Sequence, residues 1–169
     1  MKVDHFAVLG LAPTFDLDAG DLAERYRRLQ AVVHPDRHAS ASAGEQRIAT
    51  ERALAVNAAY RCLRDPVARA LHLLALDGID ALAEGNTVMT EAFLGTQIGW
   101  RERMAEAEGD AATLEALRQE MASALDQATQ RFAGAWPHDK ETAACVAREM
   151  RFIERQLDAI DAELAATID

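Results

Sequence analysis

The chain has 169 residues, of which half are hydrophobic but only 5% aromatic, and its formal net charge is −10. Abundant Ala, Leu, Glu and Arg, with little β-branched or aromatic alternation, favour an all-α protein. No apolar run approaches the roughly 18 residues of a membrane-spanning helix, and the N-terminal residues do not resemble a secretion signal. We therefore expect a cytoplasmic protein that does not contact membranes.

Charge is distributed unevenly along the chain. Residues 1–76 carry a net charge of +1, whereas residues 77–169 carry −11, which indicates that the two halves meet different partners.

Cys62 and Cys145 lie far apart within helical patterns. We expect neither a disulfide framework nor a four-ligand zinc site, and no metal or other cofactor.

A basic amphipathic helix is predicted after a short apolar segment, Asp4 to Leu9, with Asp18 as its N-cap. Arg25 lies on its flank, and Arg27 and Arg28 lie on its solvated side, a surface that suits an acidic protein partner. The apolar residues follow helical spacing and form one narrow stripe that faces a partner helix: Leu22, Tyr26, Leu29 and Val33.

The basic helix should end in a rigid turn made of His34, Pro35 and Asp36. Proline has no N–H to continue the helix and restricts the residue before it, so we expect the helix to end at Val33 or His34. A small polar loop, residues 39–44, then leads to a return helix from about Glu45 to Leu63. Leu54 and Leu63 should flank its packing side, where small residues allow the two helices to approach closely. The residues expected on that side are Ile48, Ala55, Ala58, Ala59 and Cys62.

Asp65 and Pro66 interrupt the helical pattern, which resumes from Val67 to Leu76. Two glycines and the loss of period across residues 77–87 indicate a linker. We predict a first helical domain over residues 1–76, a linker over 77–87 and an antiparallel three-helix bundle over 88–169. The bundle helices are expected at about residues 90–107, 111–132 and 139–168.

The first bundle helix has two apolar rows where one would be enough for a core. Phe93, Trp100 and Met104 form the core row, and a second row of Leu94 and Ile98, continued by Glu102, lies about 100° around the helix. Phe152 likewise lies off the buried stripe of the last helix. We predict an apolar protein-binding surface of Leu94, Ile98 and Phe152 edged by Arg101 and Glu102. Alternatively, a wider core or crossed helices bury both rows.

The tripeptide His34-Pro35-Asp36 between a basic helix and a second long helix resembles the J-domain of Hsp40-type co-chaperones. In that family a helical hairpin presents these three residues to an Hsp70 ATPase. The segments from Asp4-His5-Phe6 to Leu9-Gly10-Leu11, and Asn57-Ala58-Ala59-Tyr60 in the return helix, are similar to the same family.

A J-domain followed at once by an acidic bundle resembles the Hsc20 (HscB) co-chaperones of iron–sulfur cluster assembly. Ala92-Phe93-Leu94 and Met150-Arg151-Phe152-Ile153 look like that family's bundle. Gly95 and Gly99 depart from the family, which usually has larger residues there.

The resemblance implies two binding surfaces and two protein partners. The tripeptide would stimulate ATP hydrolysis by a specialised, HscA-like Hsp70, with Arg25, Arg27, Arg28 and Arg37 steering the docking. The bundle would bind an IscU-like cluster scaffold through Leu94, Ile98, Arg101, Glu102 and Phe152.

No phosphate-binding loop, nucleophile elbow or cluster of titratable residues accompanies these motifs, so we expect a protein that is not an enzyme and has no catalytic residues. Two alternatives stay open. The chain could be a J-domain co-chaperone for a different client, or a helix-turn-helix protein whose basic helix binds nucleic acid. The net charge of −10 argues against nucleic acid as a partner.

Overall fold

The computed structural model describes residues 3–33, 42–83, 89–107 and 110–166. Those residues form α-helices without any β-strand, which confirms the all-α expectation. The chain divides into two compact units, Met1–Gly78 and Ile79–Asp169. The helices are α1 (His5–Val8), α2 (Ala19–Val33), α3 (Ala43–Arg64), α4 (Pro66–Leu76), α5 (Glu91–Ala107), α6 (Ala111–Ala135) and α7 (Lys140–Ala166). No helix in the described ranges is long and apolar enough to cross a membrane.

The first unit is organised around the antiparallel pair α2 and α3. Asp18 caps α2 as expected, because its Oδ1 accepts a hydrogen bond from the Asp21 N–H at 2.7 Å. Tyr26 and Tyr60 stack with ring centroids 4.1 Å apart, and the Tyr26 hydroxyl donates to Asn57 Oδ1 at 3.0 Å. These contacts hold the middle of α2 against α3 and so fix the direction in which α2 reaches its C-terminal end.

The start of α3 differs from the expectation. Ser42 and Glu45 form a capping box, in which the Ser42 side chain accepts from the Glu45 N–H and the Glu45 carboxylate accepts from the Ser42 N–H at 2.9 Å. The helix therefore begins at Ala43, inside the segment that was expected to be a loop.

The packing face of α3 also differs. Ile48 was expected in the core of the helix pair but is 45% exposed, and the expected flanking residue Leu54 is 63% exposed. Because α3 contacts α1, α2 and α4, its buried stripe is set by three neighbours, whereas the prediction considered one. The stripe consists of Ala49, Ala53, Val56, Ala59 and Leu63.

Asp65 and Pro66 separate α3 from α4, as predicted. Asp65 Oδ1 accepts from the N–H groups of Val67 and Ala68 at 2.7 and 3.0 Å, and Pro66 occupies the first turn, where no N–H is needed. Beyond α4, Ala81 is buried and its carbonyl accepts from Arg148 Nη1 at 3.4 Å. Residues 79–83 of the expected linker thus belong to the second unit, whereas Asp77 caps α4 and, with Gly78, belongs to the first.

The second unit is formed by α5, α6 and α7. Arg118 pairs with Asp161 at 2.6 Å near one end of the α6–α7 pair, and Arg131 pairs with Glu149 at 2.8 Å nearer the other, so the two helices are antiparallel, as expected. The helix limits agree with the prediction within a few residues, except that residue 168 lies outside the described ranges. The large core side chains include Leu114, Leu117, Met121, Phe132, Met150, Ile153 and Ile160.

Glu149 is a buried charged side chain with no solvent exposure. Its Oε1 accepts from the Thr90 hydroxyl at 2.9 Å, and its Oε2 accepts from Arg131 Nη2 at 2.8 Å. The Thr90 hydroxyl also accepts from the Phe93 N–H at 3.3 Å, which caps α5. A buried carboxylate is tolerated only when it is paired, so these bonds fix the start of α5 against α6 and α7.

Candidate functional site

The arginines predicted to bind an Hsp70 lie on the outer side of α2. Arg27 and Arg28 are exposed, and Arg25 is half-buried on the flank, as the helical wheel predicted. Arg28 pairs with Glu24 and Arg25 with Asp21, one turn earlier in each case. The carboxylates offset part of the positive charge of Arg25 and Arg28. The Arg27 Nε–H instead donates to the neutral Ala23 carbonyl at 3.3 Å, so Arg27 contributes more net positive charge to this face than either of those residues.

Arg25 has a second contact that the sequence did not reveal. Its Nη1 donates to the Gly10 carbonyl at 3.0 Å, which joins α2 to the turn after α1. Gly10 has a φ of +65°, a backbone conformation that residues other than glycine rarely adopt. Arg25 therefore has a structural contact within the unit, besides its predicted role in docking.

The predicted site residues His34, Pro35, Asp36 and Arg37 lie outside the described residues. The structure does describe the elements that frame them. α2 ends at Val33, directly before the tripeptide, and α3 begins after the Ser42 cap.

The two apolar rows of α5 differ in burial. Phe93 and Trp100 are buried, whereas Leu94 and Ile98 are 45% and 59% exposed and Glu102 is exposed. The expectation of an exposed second row is confirmed, and the alternative that a wider core buries both rows is wrong. Leu94 and Ile98 lie one helical turn apart and are exposed to solvent, so α5 has a small apolar surface.

Phe152 of α7 borders this surface but is only half-exposed. Its ring makes a T-shaped contact with the ring of Phe93, with centroids 5.8 Å apart, and the Arg101 guanidinium carbon lies 6.0 Å from the Phe152 centroid. Arg101 follows Ile98 by three residues and so lies beside it on the helix surface. Leu94, Ile98, Arg101, Glu102 and Phe152, the set predicted from the sequence, form what we call the α5 surface.

Two polar contacts join α5 to α6, and sequence reasoning missed both. Trp100 Nε1 donates to Glu120 Oε1 at 2.8 Å, and Arg103 Nη1 donates to Glu120 Oε2 at 2.7 Å. The hydrogen bonds from Arg103 and Trp100 lower the pKa of Glu120. These bonds fix the rotation of α5 about its axis, which keeps Leu94 and Ile98 turned outward. Partners 17 and 20 residues apart leave no signal in helical periodicity.

Comparison with known proteins identifies both units. The HSCB C-terminal oligomerisation domain matches residues 89–161, and the DnaJ domain matches residues 4–72. A protein described as a co-chaperone protein HscB homolog from Bordetella petrii is 42% identical over 90% of this chain and 91% of its own length. The chain belongs to the HscB co-chaperone family. A Ralstonia nicotianae HscB homolog is 41% identical over 98% of this chain and 94% of its own length.

The fold of this HscB family member agrees with that assignment. The crystal structure of human co-chaperone protein HscB matches it with a TM-score of 0.87 at 28% sequence identity, over 95% of this chain and 82% of the human one. Helices α1 to α4 therefore belong to a J-domain, and α5 to α7 form the C-terminal helical domain. The family resemblance drawn from the sequence is confirmed.

Proposed function

We propose that this HscB family member stimulates the ATPase of an HscA-like Hsp70 and delivers an IscU-like scaffold to it during iron–sulfur cluster assembly and transfer. The observation that carries the scaffold-binding part is the exposed pair Leu94 and Ile98 on a helix whose other apolar row is buried. The DnaJ match over residues 4–72 supports the Hsp70-binding part.

On the J-domain, Asp36 would present a carboxylate to an arginine of the ATPase, and Pro35 would hold the turn in place. A carboxylate can accept two parallel hydrogen bonds from a guanidinium, which gives the contact both strength and direction. Arg27, together with Arg25, Arg28 and Arg37, would attract an acidic Hsp70 surface. That steering should weaken as salt rises, because surface charges are screened.

On the α5 surface, Leu94 and Ile98 would insert into an apolar patch of the scaffold while Arg101 and Glu102 bond at the rim. Protein interfaces commonly combine an apolar centre with a charged border. Joining this surface to the J-domain raises the effective concentration of scaffold near the ATPase, which favours delivery without any new contact. Such a mechanism needs no covalent step, and we propose that the protein is not an enzyme and works in the cytoplasm.

The J-domain role is tested with Asp36→Asn. We expect this variant to lose stimulation of Hsp70 ATP hydrolysis in single-turnover assays while binding the scaffold with unchanged affinity in calorimetry. Asp36→Asn keeps the size of the side chain and removes its charge, so a folding defect is not expected. An unchanged stimulation factor would refute this part of the proposal.

The scaffold role is tested with the double variant Leu94→Ala and Ile98→Ala. Both side chains are exposed, so we expect little change in Tm but a loss of at least tenfold in scaffold affinity. Leu82→Ala is the matched control, because Leu82 belongs to the same unit and is 51% exposed. If the double variant and the control bind the scaffold equally well, the α5 surface serves another client or a second copy of the chain.

A further inference from the structure

Three side chains with metal-binding chemistry meet in the first unit. His5 comes from α1, Cys62 from α3 and His72 from α4, and one ligand atom of each lies within 4.8 Å of the other two. The two imidazole rings have centroids 4.6 Å apart and are tilted by 36°. Cys62 follows His5 by 57 positions and His72 follows Cys62 by 10, so the sequence contains no metal-binding spacing motif for this cluster.

The hydrogen bonding of the cluster leaves a ring nitrogen unused. His5 Nδ1 is buried and has no hydrogen-bond partner in the described part of the chain. A buried polar atom without a partner is costly, and such atoms call for an explanation. His72 Nε2 accepts from the backbone N–H of His5 at 3.1 Å, which holds the two histidines side by side.

We propose that His5, Cys62 and His72 form a Zn²⁺ site with three protein ligands. Two imidazoles and one thiolate are a set that suits Zn²⁺ and not Mg²⁺ or Ca²⁺, which prefer oxygen ligands. Zinc bonds of about 2.0–2.3 Å place tetrahedral ligand atoms about 3.3–3.8 Å apart, so the three side chains need to approach one another by roughly 1 Å. A water molecule would complete the tetrahedron, because no fourth protein ligand joins the cluster among the described residues.

Binding also requires a change at the cysteine. Burial, followed by the nearby Asp65 carboxylate, raises the pKa of Cys62 to about 11, so without metal the thiol is protonated and its sulfur lies 3.7 Å from the Ala68 carbonyl. Zinc would replace that proton, which is released to solvent, and the sulfur would become a thiolate ligand. If His72 binds Zn²⁺ through Nε2, the hydrogen bond that this nitrogen accepts from the His5 N–H is also given up. These costs are offset by the interaction of the thiolate with Zn²⁺ and by the coordination of His5 Nδ1.

The consequence would be a metal crosslink between α1, α3 and α4. α1 has four residues and is too short to be stable alone, so it depends on its contacts with the rest of the unit. A bound ion would hold α1 against α3 and α4 and so stabilise the J-domain. The proposed effect is on the stability of the J-domain, and it does not depend on the function proposed above.

The first experiment adds ZnCl₂ to the chelator-treated full-length protein. We expect one Zn²⁺ per chain and a rise of several degrees in the Tm of the first unit, with no rise on adding MgCl₂. In Cys62→Ser and in His72→Gln, adding ZnCl₂ should no longer raise the Tm of the first unit. Cys145→Ser and His138→Gln, which lie in the second unit, should keep it. An equal rise in Cys62→Ser, or none in the natural chain, would overturn the proposal.

A second experiment needs no variant and so does not depend on how the substituted chains fold. The natural chain is alkylated with and without Zn²⁺, and both cysteines are quantified by mass spectrometry. We expect Zn²⁺ to slow modification of Cys62 at least tenfold and to leave Cys145 unaffected. Equal rates at Cys62 in the two conditions would also overturn the proposal.

Discussion

Gly95 and Gly99 are interior residues of α5, where glycine weakens a helix, and replacing either with alanine should stabilise the second unit. A Cβ built on either residue meets no atom within 4 Å, so the added methyl group causes no clash. Glycine is disfavoured in a helix because it loses more backbone freedom on folding than any other residue. The expected gain is therefore entropic and does not require a new contact.

The magnitude follows from helix propensity. Alanine is about 0.8–1.0 kcal/mol more favourable than glycine in a helix interior, so each substitution should raise the free energy of unfolding by about 1 kcal/mol and the double variant by about 2 kcal/mol. In a unit the size of Ile79–Asp169, about 1 kcal/mol corresponds to a Tm increase of about 4–8 °C. The single variants should give about half the shift of the double variant.

Thermal and urea unfolding of the full-length chain, followed by circular dichroism, measure these shifts. Gly78→Ala is the opposing control, because Gly78 has a φ of +81° and alanine there is strained although no atom lies within 4 Å. It should destabilise the first unit by about 1 kcal/mol. If Gly95→Ala and Gly99→Ala leave the second unit unchanged or destabilise it, the glycines are not ordinary helix-interior residues and the reasoning is wrong.

Three further predictions concern polar contacts. Glu149→Ala should cost about 2–4 kcal/mol in urea unfolding, because it removes the bonds of a buried carboxylate, whereas exposed Glu106→Ala should change stability by less than about 0.5 kcal/mol. Because the pKa of Glu120 is lower in the folded chain, its ionised carboxylate contributes to the free energy of unfolding fully above pH ~4.5. That contribution is lost as pH falls through the folded-state pKa. Between about pH 5 and pH 3, the free energy of unfolding should therefore fall less in Glu120→Gln than in the natural chain. Ser42→Ala removes the capping box of α3 and should cost about 1 kcal/mol, and an unchanged Tm would contradict that.

The sequence by itself determined the helices and the family. Asp18, Asp65 and Pro66 are local signals, since a cap or a proline acts within one turn of its own position, and the structure has the helix ends where these residues predicted them. Periodicity located α5, α6 and α7 for the same reason. The tripeptide His34-Pro35-Asp36 and the segments around it identified the J-domain through resemblance, and the family comparison confirmed it.

Only the tertiary structure decided which faces are buried. The sequence left open whether a wider core would bury the second row of α5 as well, and the rotation fixed by Trp100 and Glu120 left Leu94 and Ile98 exposed. Ile48 is exposed because α3 packs on three neighbours at once. The paired carboxylate of Glu149 and the cluster of His5 and Cys62 join residues distant in the chain. Helical period describes neighbours three and four residues apart, so contacts between helices lie beyond what it can predict.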